Sequence, residues 1–223
     1  MRIYSNVMKL EVNSEGAQLL YLLLHNLSVI APVVSIRSDA DGIQLQGMDC
    51  CQVCLFDCKF NADWFNFYSC PEESIRHLNS KIFATILKMM GKDQSATVVL
   101  TNSELIIAFT GGTQSCDKDF TVPLIAYDYD FMDMKEIVGE ETTAQLCMTS
   151  KKFLELVSQF ELFDQVLTFN LSEEVMKMSA SGAMGSMSAD LDLDGGHLLE
   201  YSIIESSLLK QSFSHRFVKN MAS

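Results

Sequence analysis

One unit used twice constrains this chain more than any other feature. Leu20, Leu23, Leu24 and Leu27 fall on a single helical stripe and lead into Ile36-Arg37-Ser38-Asp39-Ala40-Asp41-Gly42-Ile43-Gln44-Leu45, a strand that turns through Asp and Gly into a second strand. The order returns ungapped 133 residues later as Phe153, Leu156, Val157 and Phe160, then Phe169 through Met178. A repeat of this kind buries its core by stacking units, so function is expected in architecture rather than in a catalytic pocket. With 223 residues, 48% of them hydrophobic, the chain can bury two cores of ordinary size.

The apolar runs are shorter than the roughly 18 residues needed to cross a bilayer. Met1-Arg2-Ile3-Tyr4-Ser5 opens into a strand-like alternation rather than a signal peptide, so a soluble, non-exported chain with no membrane contact is expected. Seven cysteines without a regular framework, including the adjacent Cys50-Cys51, fit free thiols in a reducing compartment.

The formal net charge of -13 argues against contact with nucleic acid until its distribution is considered. Four windows read as helices, 15–31, 80–92, 150–163 and 206–220, hold eight of the sixteen basic residues and three of the twenty-nine acidic ones. Local potential decides what docks, and these helices are basic within an acidic protein. In the second window Lys81, Thr85, Lys88 and Lys92 share one stripe, opposite Ile82, Phe83, Ile86, Leu87 and Met90. The third begins with Lys151 and Lys152; the fourth carries Lys210, Arg216 and Lys219 around Leu209, Phe213 and Phe217. The first has an apolar stripe and no basic residue. Solvated surface is the plain alternative for any one of these faces.

Between the helices the chain reads as hairpins: Val33 to Arg37 before Asp39-Ala40-Asp41-Gly42, Thr97 to Leu100 before Leu105 to Phe109, and Val166 to Leu171 before Val175 to Ala180. This predicts an α+β protein of two similar domains, each with two helices backed by antiparallel sheets. The expected boundaries are 1–123, a connector over 124–142, and 143–223. The connector is acidic and aromatic, Tyr127-Asp128-Tyr129-Asp130-Phe131-Met132-Asp133-Met134-Lys135-Glu136; its side chains either dock a partner or fold back on the sheet.

No residue set calls for catalysis, cofactor or metal. Cys50, Cys51, Cys54 and Cys58 fall within nine residues, but one extended strand does not supply the converging ligands of a tetrahedral zinc site. The four histidines lack a neighbouring nucleophile, Gly111-Gly112 and Gly195-Gly196 lack phosphate-loop context, and the paired acids Glu140-Glu141 lie in a polar connector. A zinc-binding or hydrolytic enzyme built on the cysteine cluster is the weaker alternative.

Two further stretches carry a resemblance. Ile43-Gln44-Leu45-Gln46-Gly47-Met48-Asp49 with Val53 and Leu55, and Phe163-Asp164 through Ser179-Ala180-Ser181-Gly182-Ala183-Met184-Gly185, resemble the eukaryotic-type sliding clamps of the proliferating cell nuclear antigen family. The similarity covers most of the chain in order. It implies the DNA-clamp fold and a ring of three identical subunits whose helices surround duplex DNA without regard to sequence. Function would be that of a processivity factor for DNA polymerase that also docks replication and repair proteins and is placed on DNA by a clamp loader. By the same resemblance Lys81, Lys88, Lys92, Lys151, Lys152, Lys210, Arg216 and Lys219 would face phosphates. Met48, Val53 and Leu55, with Phe131, Met132 and Met134 as walls, would line a groove for short partner peptides; ordinary strand packing is the alternative for the first three.

Ring closure would pair edge strands at Cys116 to Val122 and Val175 to Ser181. A subunit of a heterotrimeric checkpoint-type clamp is the alternative in the same fold. The chain departs from the family after the fourth helix, where the sequence given stops at Met221-Ala222-Ser223 without the expected hairpin, so a fragment or a divergent clamp is expected. Nuclear work is implied, or a viral replication site if the cysteine and methionine content reflects a large DNA virus.

Overall fold

The computed structural model describes residues 7–139 and 142–223, so the alternation read over Met1 to Ser5 and the pair Glu140-Glu141 lie outside the described residues. Two compact units divide the chain, Met1–Phe131 and Met132–Ser223.

In the first unit β1 (Met8–Val12) leads to α1 (Ser14–Ile30), then β2 (Val33–Asp39), β3 (Gly42–Met48), β4 (Leu55–Asn61), β5 (Phe67–Ser69), β6 (Ser74–Asn79), α2 (Ser80–Leu87), β7 (Ser95–Leu100), β8 (Glu104–Thr110) and β9 (Lys118–Pro123). The second contains a short helix α3 (Met134–Val138), β10 (Ala144–Cys147), α4 (Ser150–Phe160), β11 (Val166–Leu171), β12 (Met176–Gly182), β13 (Gly185–Leu191), β14 (Glu200–Ile203), β15 (Leu209–Ser214) and α5 (His215–Ala222). The repeat is explicit in the sheets: one four-stranded sheet runs β4-β3-β2-β6 and the other β13-β12-β11-β15, every pairing antiparallel.

Local chemistry sets these elements. Asn13 opens α1 by accepting from the Gly16 N–H at 2.9 Å, and Ala17, Leu20, Leu24, Leu27 and Ile30 bury one face. The helix ends at Ala31, extended at φ -125 and ψ 122 as a residue preceding proline favours. At the β2–β3 turn the Asp39 carboxylate accepts from the N–H groups of Asp41 (2.8 Å) and Gly42 (3.1 Å). Gly42 has φ +146, and a Cβ there would stand 2.0 Å from the Phe60 carbonyl oxygen, so only glycine fits. The second unit's core gathers Val157, Phe160, Leu167, Met176 and Met178, all fully buried.

Three readings are corrected. The second helix stops at Leu87, with Gly91 following, so Lys92 lies in the loop beyond it and Ile82 is 45% exposed. The window 206–220 is not one helix: β15 occupies its first half and α5 its second, which puts Lys210 on a strand opposite Asn170. The segment Val175 to Ser181 is not an edge, because β12 pairs with β11 on one side and β13 on the other; β13 and β15 are the edges of this sheet. In the first unit β9 does lie at the edge of its five-stranded sheet, order β5-β1-β7-β8-β9.

Candidate nucleic-acid interface

On α2 the buried side chains Phe83, Ala84, Ile86 and Leu87 leave Lys81, Thr85 and Lys88 on the solvent face. Asn79 caps the helix by accepting from the Ile82 N–H at 2.9 Å, and Thr85 turns its hydroxyl back to the Lys81 carbonyl at 2.7 Å, leaving the two ammonium groups as the face's polar outlets. The Lys88 amine sits 5.9 Å from the ring centre of Tyr21 on α1, a cation–π arrangement that holds the charge between the two helices. Sequence reasoning missed Lys118, whose amine donates to the Met89 carbonyl at 2.9 Å. Nothing in its spacing marks it; the sheet order brings β9 beside the end of α2. By contrast α1 turns Leu19, Leu22 and Val29 outward, each about half exposed, and offers no cation.

In the second unit Lys151 and Lys152 occupy the first turn of α4, and Arg216 the first turn of α5. Cations there oppose the helix dipole at a cost of about 0.3–1 kcal/mol each, so helix stability does not explain them. The Lys152 amine donates to the Gly196 carbonyl at 2.8 Å, and the Arg216 guanidinium lies 4.7 Å from the Phe217 ring. His215 is buried, its Nε2 donating to the Val157 carbonyl at 2.7 Å, which ties α5 to α4. Lys219 pairs with Glu161, and that hydrogen bond and charge hold the Glu161 carboxyl below the usual range. Arg216 and Lys219 thus line one polar cavity of about 500 Å³ together with Glu161 and Asp164. Lys210 stands apart, beside an apolar depression formed with Leu171, Val175 and Leu208.

The residues expected to line a groove in the first unit cluster at one end of its four-stranded sheet. Met48 faces Leu55 across β3 and β4, and Val53, 72% exposed, lies in the loop between them. The buried Asp49 carboxylate builds that loop by accepting from the N–H groups of Cys51 (3.1 Å), Val53 (2.8 Å) and Cys54 (2.8 Å), with Gln52 left-handed at φ 58. The run from Cys50 to Cys58 is therefore a loop and a strand, not one extended segment.

The start of the connector folds back over β3. Tyr129 donates to the Gln46 side-chain oxygen at 3.0 Å and stacks on Tyr127, and Phe131 meets Tyr129 edge-on at 6.2 Å. Burial, then the charges of Tyr127 and Asp57, push the Tyr129 hydroxyl pKa up. Met132, exposed, and Met134, half-buried, belong to the second unit.

This geometry has relatives. The family model described as proliferating cell nuclear antigen, N-terminal domain, matches residues 9–135. The chain belongs to the proliferating cell nuclear antigen family. It is 24% identical over 211 residues to proliferating cell nuclear antigen 2 of Drosophila melanogaster, covering 94% of this chain and 81% of that protein. It is also 24% identical over 216 residues to a DNA polymerase sliding clamp of Thermococcus onnurineus, covering 96% and 83%. A crystal structure of a PCNA2-PCNA3 complex from Sulfolobus tokodaii shares the fold, with a TM-score of 0.79 at 18% identity over 96% of this chain and 83% of that one. Membership makes the protein a DNA sliding clamp, a processivity factor and not an enzyme. DNA, a polymerase and further clamp subunits are its partners in kind. Among the described residues no helix is long and apolar enough to cross a membrane.

Proposed function

We propose that three copies of this chain close head to tail around duplex DNA, with residues 1–123 and 143–223 as the two clamp domains of each copy and 124–142 as their connector. The observation that carries the reading is the repeated four-stranded sheet, accompanied in each unit by a packed helix pair, α1 with α2 and α4 with α5, that bears first-turn cations its own stability does not need. Lys81, Lys88, Lys92, Lys118, Lys151, Lys152, Arg216 and Lys219 face phosphates; such contacts are sequence-independent and individually weak, as sliding requires. Lys210, on β15, contributes at the margin of that surface.

The edges β9 and β13 supply the ring joint, a heterologous contact that closes after three copies and leaves neither edge open. Met48, Val53 and Leu55, with Phe131, Met132 and Met134 of the connector, take an apolar and aromatic peptide plug from the polymerase and from other replication and repair proteins. A clamp loader opens the ring, and the site of work is the nucleus or a viral replication compartment.

Light scattering on the eluting chain, over a range of concentration and salt, tests the ring. A trimer is expected; a monomer at every concentration, or a trimer only after mixing with a different clamp subunit, overturns the homotrimer and favours the heterotrimeric form. Loaded rings should stay on closed circular DNA and leave once it is cut. Equal retention on both forms would show binding without encirclement.

A further inference from the structure

We infer that Cys50 and Cys51 form an oxidisable vicinal dithiol, a modification site whose closure to a cyclic disulfide by a peroxide reshapes the loop that presents Val53. The two sulfur atoms lie 3.9 Å apart and both residues are exposed. Their setting is built: the Asp49 carboxylate holds the N–H groups of Cys51, Val53 and Cys54, so both thiols stand on a fixed turn rather than a loose tail. Competing thiols nearby are poor nucleophiles. Cys54 is buried, and burial, with the charge of Asp57 behind it, raises the Cys58 pKa and so depletes its reactive thiolate.

The chemistry balances with hydrogen peroxide as oxidant. One thiol sulfur attacks a peroxide oxygen; the O–O bond breaks, a sulfenic acid forms and the first water leaves. The neighbouring sulfur attacks the sulfenic sulfur, the S–O bond breaks and the second water leaves, so both sulfurs are oxidised, both peroxide oxygens are reduced and both thiol protons end in water. Closing the bond brings the sulfurs from 3.9 Å to about 2 Å. Adjacent Cα atoms sit about 3.8 Å apart, below the roughly 4.4–6.8 Å usual for a disulfide. The ring is strained and correspondingly easy to reduce, which suits a reversible mark rather than a staple. Because the ring includes the Cys50–Cys51 peptide, its strain falls on the Cys51 N–H that Asp49 holds at 3.1 Å, and through that carboxylate on Val53. The disulfide does not depend on the groove assignment, whereas its effect on peptide binding rests on that reading.

The test treats the reduced full chain with a modest excess of hydrogen peroxide, removes the peroxide with catalase, blocks remaining thiols and maps peptides by mass. Expected is a peptide spanning Cys50 and Cys51 that is lighter by two hydrogens, unblocked and restored by dithiothreitol. Hydrogen exchange at the Cys51, Val53 and Cys54 amides should speed up several-fold on oxidation. Cys51→Ser should instead leave a sulfenic acid on Cys50 that dimedone traps. Sulfinic or sulfonic products at single cysteines, links to Cys54, Cys58 or a second chain, or unchanged amide exchange would overturn the inference. A labelled peptide with an apolar and aromatic plug separates the two readings. Several-fold weaker binding after oxidation supports both, while unchanged binding with the disulfide formed refutes the groove and leaves the dithiol site standing.

Discussion

The two units share one sheet and differ in the other. Both have a helix pair on a four-stranded sheet of the same order, but the second sheet is five-stranded in the first unit and consists of β10 and β14 alone in the second, among the described residues. In the first unit β1 is bonded on both sides, by β5 and β7, and Met8, Leu10 and Val12 are buried. In the second, β10 is bonded among the described residues by β14 only, and Leu146, Met148, Tyr201 and Ile203 stay partly exposed around the core. In the first unit α1 packs against β1 and β7 and α2 against β6, so the helix layer there rests on both sheets. The five-stranded sheet also reaches that layer, because β9 brings the Lys118 amine to the Met89 carbonyl just beyond α2.

The largest test of this division is a pair of core truncations at matched repeat positions. Phe160→Ala should cost about 3–5 kcal/mol and Leu27→Ala about 2–5 kcal/mol, both side chains being buried. Denaturant unfolding followed by segment-resolved hydrogen exchange should show each change confined to its own unit, with the second unit opening first in both proteins. A single transition that moves as one would mean the units fold together and the contrast has no energetic meaning.

Charge variants sharpen the comparison on the helix surface. Lys81→Glu with Lys88→Glu should lower the salt slope of DNA binding by about two units, near one per phosphate contact. Lys219→Ala should do less, because Lys219 is already paired with Glu161. Glu161→Gln should strengthen binding by freeing that amine, read as a several-fold gain in affinity at low salt. Equal losses from all the lysine changes would show that the internal pairing in the second unit is not felt by DNA.

The helix starts offer a smaller, cleaner contrast. Asn79 accepts an N–H at the head of α2, whereas Ser214 makes no side-chain cap bond at the head of α5. Asn79→Ala should cost about 1 kcal/mol and Ser214→Ala close to nothing in thermal unfolding.

These cases also show what was legible in the sequence. The stripe Leu20, Leu24, Leu27 and the turn at Asp39 to Gly42 are local signals, and the helix and hairpin they announce are present. Leu209 and Phe213 are four apart, a spacing that fits a strand face as well as a helical one, and so the sequence predicts a helix at Lys210 where the chain forms a strand. Gly91 is a local stop signal that separates Lys92 from α2, although the apolar and basic stripes continue in register past it. The strand order that makes β13 rather than β12 an edge, and that brings Lys118 to Met89, is tertiary and has no local spacing to betray it. The Asp49 turn was hidden for a related reason: one carboxylate serving three nearby N–H groups leaves no periodic pattern.

The smallest expected effect concerns pH and again sets one unit against the other. His77 on β6 shares a 2.8 Å hydrogen bond between its Nδ1 and the Ser35 hydroxyl, meets the Tyr127 ring at 5.7 Å, and has Arg76 beside it. Burial, then the Arg76 charge, lowers its pKa, so the folded first unit prefers the neutral ring. The unfolded chain, near the ordinary value of about 6.5, takes up the proton first as pH falls. Stability from this site is therefore complete above that value and declines as pH drops from there to the lower folded pKa, where the loss levels off. Because the His77 carbonyl also accepts from the Ile125 N–H at 2.9 Å, the start of the connector should loosen with it. Hydrogen exchange at Ile125, corrected for its intrinsic pH dependence, should show reduced protection in mild acid, and His77→Gln should abolish the dependence. If protection in the second unit falls by the same amount over the same range, the acid response belongs to the whole chain and not to the docking of Tyr127 on His77.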